Sequence, residues 1–257
     1  MVSLLLPIIY IAFISLGLPD SLLGSAWPTM YPELGVPVSC AGILSMIISL
    51  GTILSSLQSD RLTRTLGTGR VTAISVGMTA AALFGFSLST QFWMLCLWAI
   101  PYGLGAGSVD AALNNYVALH YKSRHMSWLH CMWGIGTMVS PMVMGAALTH
   151  GMHWTVGYRA IALFQVLLTV ALVVSLPLWK ERRTESGTEE TAPQALSLRQ
   201  VFALPGAREV MLCFFCYCAL ETTAGLWASS YLTLSRGVAA ETAASFASLF
   251  YFGITAG

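Results

Sequence analysis

Residues 4–30, 38–59, 71–89, 92–119, 126–149, 155–179 and 208–234 are each apolar enough, and long enough at about 20 residues, to cross a bilayer as a helix. In hydrocarbon every backbone N–H and C=O must find a partner within the chain, so runs of this kind fold as helices. An eighth run begins near residue 241 and reaches Gly257. The succession predicts an all-α membrane protein. Composition agrees: 9% of the 257 residues are charged, against about 25% in soluble domains. Net charge is +1, which gives no electrostatic footprint for a nucleic-acid partner.

Met1 leads almost directly into the first run, with no Lys or Arg before it and no convincing cleavage site after it. That pattern reads as a retained helix rather than a signal peptide. Most polar breaks are short. The exception is residues 180–207, where Lys180, Glu181, Arg182, Arg183, Glu185, Glu189, Glu190 and Pro193 mark a linker. The chain divides on this reading into a six-helix bundle over 1–179, the linker over 180–207, and the start of a second bundle over 208–257. Within the linker, residues 196–202 have the pattern of a short amphipathic helix lying on the membrane surface.

Ten of the twelve Lys and Arg residues fall in the breaks after the second, fourth and sixth runs; Arg159 and Arg236 are the two on the other side. The positive-inside rule then sets the N-terminus and the linker in the cytoplasm, with the protein in a plasma or bacterial inner membrane.

Against this apolar background Asp20, Asp110 and Glu221 stand inside the runs. An ionised carboxylate at bilayer depth costs at least about 2.5–3.5 kcal/mol, so such groups usually face a cavity and mark a transport path. Burial favours the neutral form of a carboxyl, which suits a group that takes up a proton on one side and loses it on the other. A plainer role is also open, in which Asp20 or Asp110 bonds to backbone loosened by Pro19 or by the glycines of the fourth run. Glu221 fits either a third titrating group or a ligand for substrate hydroxyls.

The first and seventh runs echo each other about 200 residues apart. One reads Asp20-x3-Gly24-x2-Trp27-x3-Tyr31 and the other Glu221-x3-Gly225-x-Trp227-x3-Tyr231. Ala41 and Gly51 of the second run pair with Ala243 and Gly253 of the eighth, again ten residues apart. A six-helix unit duplicated across a cytoplasmic linker is the parallel-repeat plan of twelve-helix transporters. On that plan the chain holds the first half of such a protein and the beginning of the second.

Two motifs carry a family resemblance. Ser59-Asp60-Arg61-Leu62-Thr63-Arg64-Thr65-Leu66-Gly67-Thr68-Gly69-Arg70 resembles the loop signature between helices two and three of the major facilitator superfamily. Asp60, Arg61, Arg64 and Arg70 would there form a cytoplasmic gate, pairing across neighbouring helices in one conformation and parting in the other. A solvated ion pair in an ordinary positive loop is the alternative. The fourth run carries Gly103-Leu104-Gly105-Ala106-Gly107-Ser108-Val109-Asp110-Ala111-Ala112-Leu113-Asn114-Asn115. Gly103 and Gly107 form a small-xxx-small face that admits a second helix, and Asp110 and Asn114 lie one turn apart. This segment is similar to the fucose–galactose–proton symporters of that superfamily.

The resemblance implies the major facilitator fold, alternating access, and coupling of proton to sugar binding through Asp20 and Asp110, with Asn114 as a sugar ligand. It implies a monomer that works without a cofactor. Two departures bear on the sugar. The acid on the fourth run is Asp rather than Glu, and the fifth run reads Trp128-Leu129-His130-Cys131-Met132-Trp133 where amide side chains are expected. Trp27, Trp133 and Trp227 are candidates for stacking on a sugar face, or simply pack; Asn114, Asn115 and His130 are candidate hydroxyl ligands. His130 also fits a proton relay. Trp93, Trp98 and Trp179 read as interfacial or lipid-facing, and Arg159 as a structural anchor.

The six cysteines lie in apolar runs and read as small core residues rather than metal ligands. No nucleophile triad or phosphate loop occurs, so neither an enzyme nor an ATP-driven pump is expected. A drug–proton antiporter of the same fold is the competing reading, from Gly136-x3-Ser140-Pro141-x3-Gly145 in the fifth run. A sensor without transport, or an inactive truncated product, is a reading of a different class.

Overall fold

The computed structural model describes residues 4–179 and 198–256, and these are almost wholly helical. In chain order the helices are α1 (Leu5–Asp20), α2 (Leu22–Glu33), α3 (Cys40–Leu66), α4 (Thr68–Leu88), α5 (Phe92–His120), α6 (Ser123–Thr149), α7 (Trp154–Val174), α8 (Leu198–Phe202), α9 (Ala207–Arg236) and α10 (Ala240–Ala256). Taking α1 and α2 as one broken span, seven are long and apolar enough to cross a membrane. The charged centre of the predicted linker, Lys180 to Pro193, lies outside the described residues. So do the first two residues of the predicted surface helix, of which α8 is the described part.

The sequence predicts the first span as one helix, and it is two. Pro19 has no N–H to continue the ladder, and the helix breaks at Ser21, directly after Asp20. The predicted loop between spans two and three is nearly absent. Helix α3 runs on to Leu66, and Gly67, at a φ of 85° that L side chains rarely adopt, turns the chain straight into α4.

Helix α5 packs between α3 and α4, α4 against α7, and α1 against α6. Without a hydrophobic drive between helices in lipid, such contacts depend on close backbone approach at small residues. A Cβ on Gly17 would overlap the Trp133 carbonyl, and one on Gly136 would overlap the Ile14 carbonyl, so α1 and α6 touch backbone to backbone. The same test at Gly103 and Gly107 meets the carbonyls of Ile48 and Thr52, which confirms α3 as the helix admitted by that face. Two apolar cores result. One gathers Ile9, Phe13, Leu113 and Leu172 towards the N-terminal end of α1; the other gathers Leu22, Trp27, Leu44 and Tyr158 towards Glu33.

At the end of the bundle away from the arginines of α3, Glu33 joins α2 to the start of α7. Its carboxylate accepts from His153 Nε2 at 2.8 Å and from Trp154 Nε1 at 2.6 Å. Helix α10 lies along α6, and α9 packs against α2, where a Cβ on Gly24 would overlap the Gly225 carbonyl. Much of α9, including Leu212, Phe215 and Leu220, is exposed.

One sequence expectation is corrected here. Trp179 is not lipid-facing: it is buried, covers Gly69 and donates to Ser175 Oγ at 3.3 Å. Asp60 and Arg64 do form an ion pair, at 3.0 Å, but within one turn of α3 rather than between helices. Both side chains are more than 60% exposed, and Arg61 and Arg70 are exposed as well. The geometry in this conformation is that of a solvated i,i+4 pair, because both side chains lie on an exposed face of α3.

Candidate functional site

A cavity of about 870 Å³ lies between α1, α3, α5, α6, α9 and α10. Asp20, Asp110 and Glu221 all line it, from α1, α5 and α9. It runs from the level of the Gly24–Gly225 contact towards Ser127 and Phe214, the start of α6 and the early part of α9.

Asp20 is the most fully engaged of the three. Tyr102 Oη on α5 donates to its Oδ1 at 2.9 Å, and Trp133 Nε1 on α6 donates to its Oδ2 at 2.9 Å. Each carboxylate oxygen therefore has a donor from a different helix. The two donors differ in kind. An indole N–H can only donate, whereas a phenol can reverse and accept if the carboxyl takes a proton. The arrangement accommodates both charge states of Asp20 with one hydroxyl rotation.

Asp110 lies two turns along α5 from Tyr102 on the same face. Asn114 Nδ2 donates to Asp110 Oδ1 at 2.9 Å and to its backbone carbonyl at 3.1 Å. Asn114 is thus spent on Asp110 and does not line the cavity. Glu221 enters from α9 with Tyr217 one turn before it, and Tyr251 enters from α10. His130 lines the cavity and is the basic side chain among its described lining residues; no Lys or Arg is among them. Three carboxyls in one site make its described lining acidic.

Of the residues singled out in the sequence, Asp20, Asp110, Glu221, His130 and Trp133 come together here. Trp27 does not. It is wholly buried and donates Nε1 to Val38 O at 2.7 Å, so it packs the turn after α2. Trp227 is half-buried against the second core and Asn115 faces outward, both away from the cavity.

Sequence reasoning missed Tyr102, Tyr217 and Tyr251, along with Ser45, Ser49 and Thr52 of α3. A signal for the first was present: Tyr102, Ala106 and Asp110 recur every four residues, one face of a helix.

The profile of the Major Facilitator Superfamily matches residues 9–257. The chain belongs to that superfamily. Among curated major facilitator proteins it is similar to the quinolone resistance protein NorA of Staphylococcus aureus (strain MRSA252), 24% identical over 229 residues, 86% of this chain and 56% of that protein. It is also similar to the uncharacterized MFS-type transporter YfkL of Bacillus subtilis (strain 168), 22% identical over 248 residues, 95% of this chain and 62% of YfkL. The chain therefore spans less than two thirds of these relatives' length. As a major facilitator chain with seven span-length helices among its described residues, it is a multi-pass membrane protein.

Proposed function

We propose that this major facilitator chain provides the substrate path of a proton-coupled secondary transporter for a small polar solute of the sugar or polyol class. One observation carries the reading: three carboxyls from three helices converge on one cavity that hydroxyls, aromatic rings and a single histidine line together with aliphatic side chains such as Leu16, Leu23, Ile48 and Leu226. Asp20, Asp110 and Glu221 are the proton-binding groups. Trp133 offers an aromatic face and His130 a ligand for hydroxyls. Tyr102, Tyr217 and Tyr251 add phenolic partners for a polyol.

The coupling follows from the Asp20 geometry. Ionised, Asp20 holds Tyr102 and Trp133 as donors; protonated, it releases the Tyr102 hydroxyl to serve the cavity. Alternating access would rock the helices on either side of the cavity about their contact. Helices α2 and α9 touch at Gly24 and Gly225 on the Glu33 side of the cavity, whose lining extends towards the arginine-bearing end. On the positive-inside orientation that end is cytoplasmic. The 1–179, 180–207 and 208–257 division remains the proposed organisation. Asp60, Arg61, Arg64 and Arg70 are proposed to act as a gate only in a conformation other than this one. The working unit is proposed to be a monomer.

A drug–proton antiporter is the second reading, favoured by the similarity to the quinolone resistance protein NorA and by the cavity's acidity, which also suits an amphipathic cation. The test is pH recording in proteoliposomes bearing the protein from its complete reading frame, with sugars and lipophilic cations added one at a time. Alkalinisation of the outer medium on adding one sugar supports symport. Proton movement driven by a lipophilic cation, with no response to sugars, supports the antiporter.

A further inference from the structure

Gln165 is a polar side chain in the middle of a membrane helix, 1% exposed and outside the cavity just described. An amide in that position is costly unless bonded. Its Nε2 donates to the Ser15 carbonyl at 2.7 Å, and its Oε1 accepts from Thr79 Oγ1 at 2.7 Å. The amide cannot be reversed, since Ser15 O only accepts and requires the NH2 end.

Ser15 is the residue whose carbonyl Pro19 leaves without a helical donor, because position 19 is four residues on and proline has no N–H. The next residue is Asp20. Gln165, Ser15, Pro19 and Tyr102 border one narrow gap, so the amide reaches α1 immediately behind the Asp20–Tyr102 bond. The far side of the break is fixed in the same way. Pro141 of α6 frees the Thr137 carbonyl, and Ser21 Oγ donates to it at 2.7 Å. Asp20 and Ser21, at the break itself, are therefore held between two proline-freed carbonyls, each bonded by a side chain from another helix.

We propose that Gln165 is the positioning residue of Asp20, acting through the Ser15 carbonyl that Pro19 frees and holding the α1 break so that the carboxylate meets Tyr102 and Trp133. Thr79 orients the amide. The ionisable groups facing Asp20 are Tyr102 and Asp110 from α5, Glu221 from α9 and Tyr251 from α10, with His130 of α6 lining the same cavity. None of them is hydrogen-bonded to Ser15 among the described contacts, so a change at Gln165 reaches Asp20 through the backbone.

The functional meaning rests on Asp20 being a coupling acid, whereas the position of Asp20 can be read without any substrate. The probe is dicyclohexylcarbodiimide, an apolar reagent for carboxyls within membranes, with labelling at Asp20, Asp110 and Glu221 quantified separately by peptide mass spectrometry. Gln165→Met keeps the volume and removes both bonds. The expected result is at least a threefold faster labelling of Asp20, freed from its donors, with Asp110 and Glu221 unchanged. Adding Pro19→Ala supplies the missing N–H to Ser15 and returns the Asp20 rate towards wild type. Should Gln165→Met fail to fold, Thr79→Val, which removes only the orienting donor, is expected to change Asp20 in the same direction by a smaller factor. Equal labelling of Asp20 in variant and wild type overturns the proposal. So does a parallel rise at all three acids, which is general loosening, and so does an Asp20 change that Pro19→Ala leaves in place.

Discussion

Gly24 of α2 and Gly225 of α9 are packed backbone against backbone, and each stands four residues after a cavity carboxyl, Asp20 and Glu221. The two helices bearing the repeated acid-glycine pattern thus meet at its glycine and present its acid to the same space. A side chain at position 24 cannot be accommodated without parting them. Gly24→Val is expected to shift the protein towards a conformation open at the Glu33 end. Ser230→Cys on α9, 3% exposed here, should then become reactive to a thiol reagent in a cysteine-free background. Unchanged protection would mean that the contact does not close that end.

The Asp20 bonds predict a contrast between two substitutions. In Asp20→Asn the side-chain oxygen still accepts from Trp133, while its NH2 donates to the Tyr102 oxygen, so thermal stability in detergent should stay within about 1 kcal/mol of wild type. Proton movement coupled to solute should be lost. Asp20→Leu strands both donors, and each unmet donor costs about 1–3 kcal/mol, less whatever the cavity water restores. Measured melting that falls equally for both variants would contradict this geometry.

Trp27 and Trp133 look alike in the sequence and should behave differently. Trp27→Phe strands the Val38 carbonyl and leaves a small void, and should cost about 1–3 kcal/mol of stability or more with solute affinity unchanged. Trp133→Phe should weaken solute binding, since Trp133 lines the cavity. Binding isotherms and melting curves on the two variants separate the roles.

Arg64→Ala breaks an exposed pair whose net worth is about 0.3–0.5 kcal/mol. Melting should scarcely move. Transport that nevertheless collapses in this variant would support re-pairing of the motif across helices in another conformation.

The spans, the intramembrane acids and the small face at Gly103 and Gly107 were legible because lipid leaves each a strong local mark. An apolar run, a charge within it and a four-residue glycine spacing all depend on chain neighbours alone. What eluded the sequence depended on partners far along the chain. Trp27 is buried by the turn at Val38, Asn114 is absorbed by Asp110, and Asp60 and Arg64 pair with each other on an exposed face of α3. The break at Ser21 was half legible, for Pro19 announces a fault in α1. The donor that repairs it, Gln165, lies 150 residues away and gives no local sign.

The central claim, that the cavity carboxyls couple protons to a polar solute, is tested most directly by proton flux in proteoliposomes of the protein from its complete reading frame. Solute-driven alkalinisation of the outer medium, abolished in Asp20→Asn and in Asp110→Asn while both proteins melt like wild type, is the predicted result. Solute-driven proton flux that persists in both variants, or solute uptake with no proton movement at all, would contradict it.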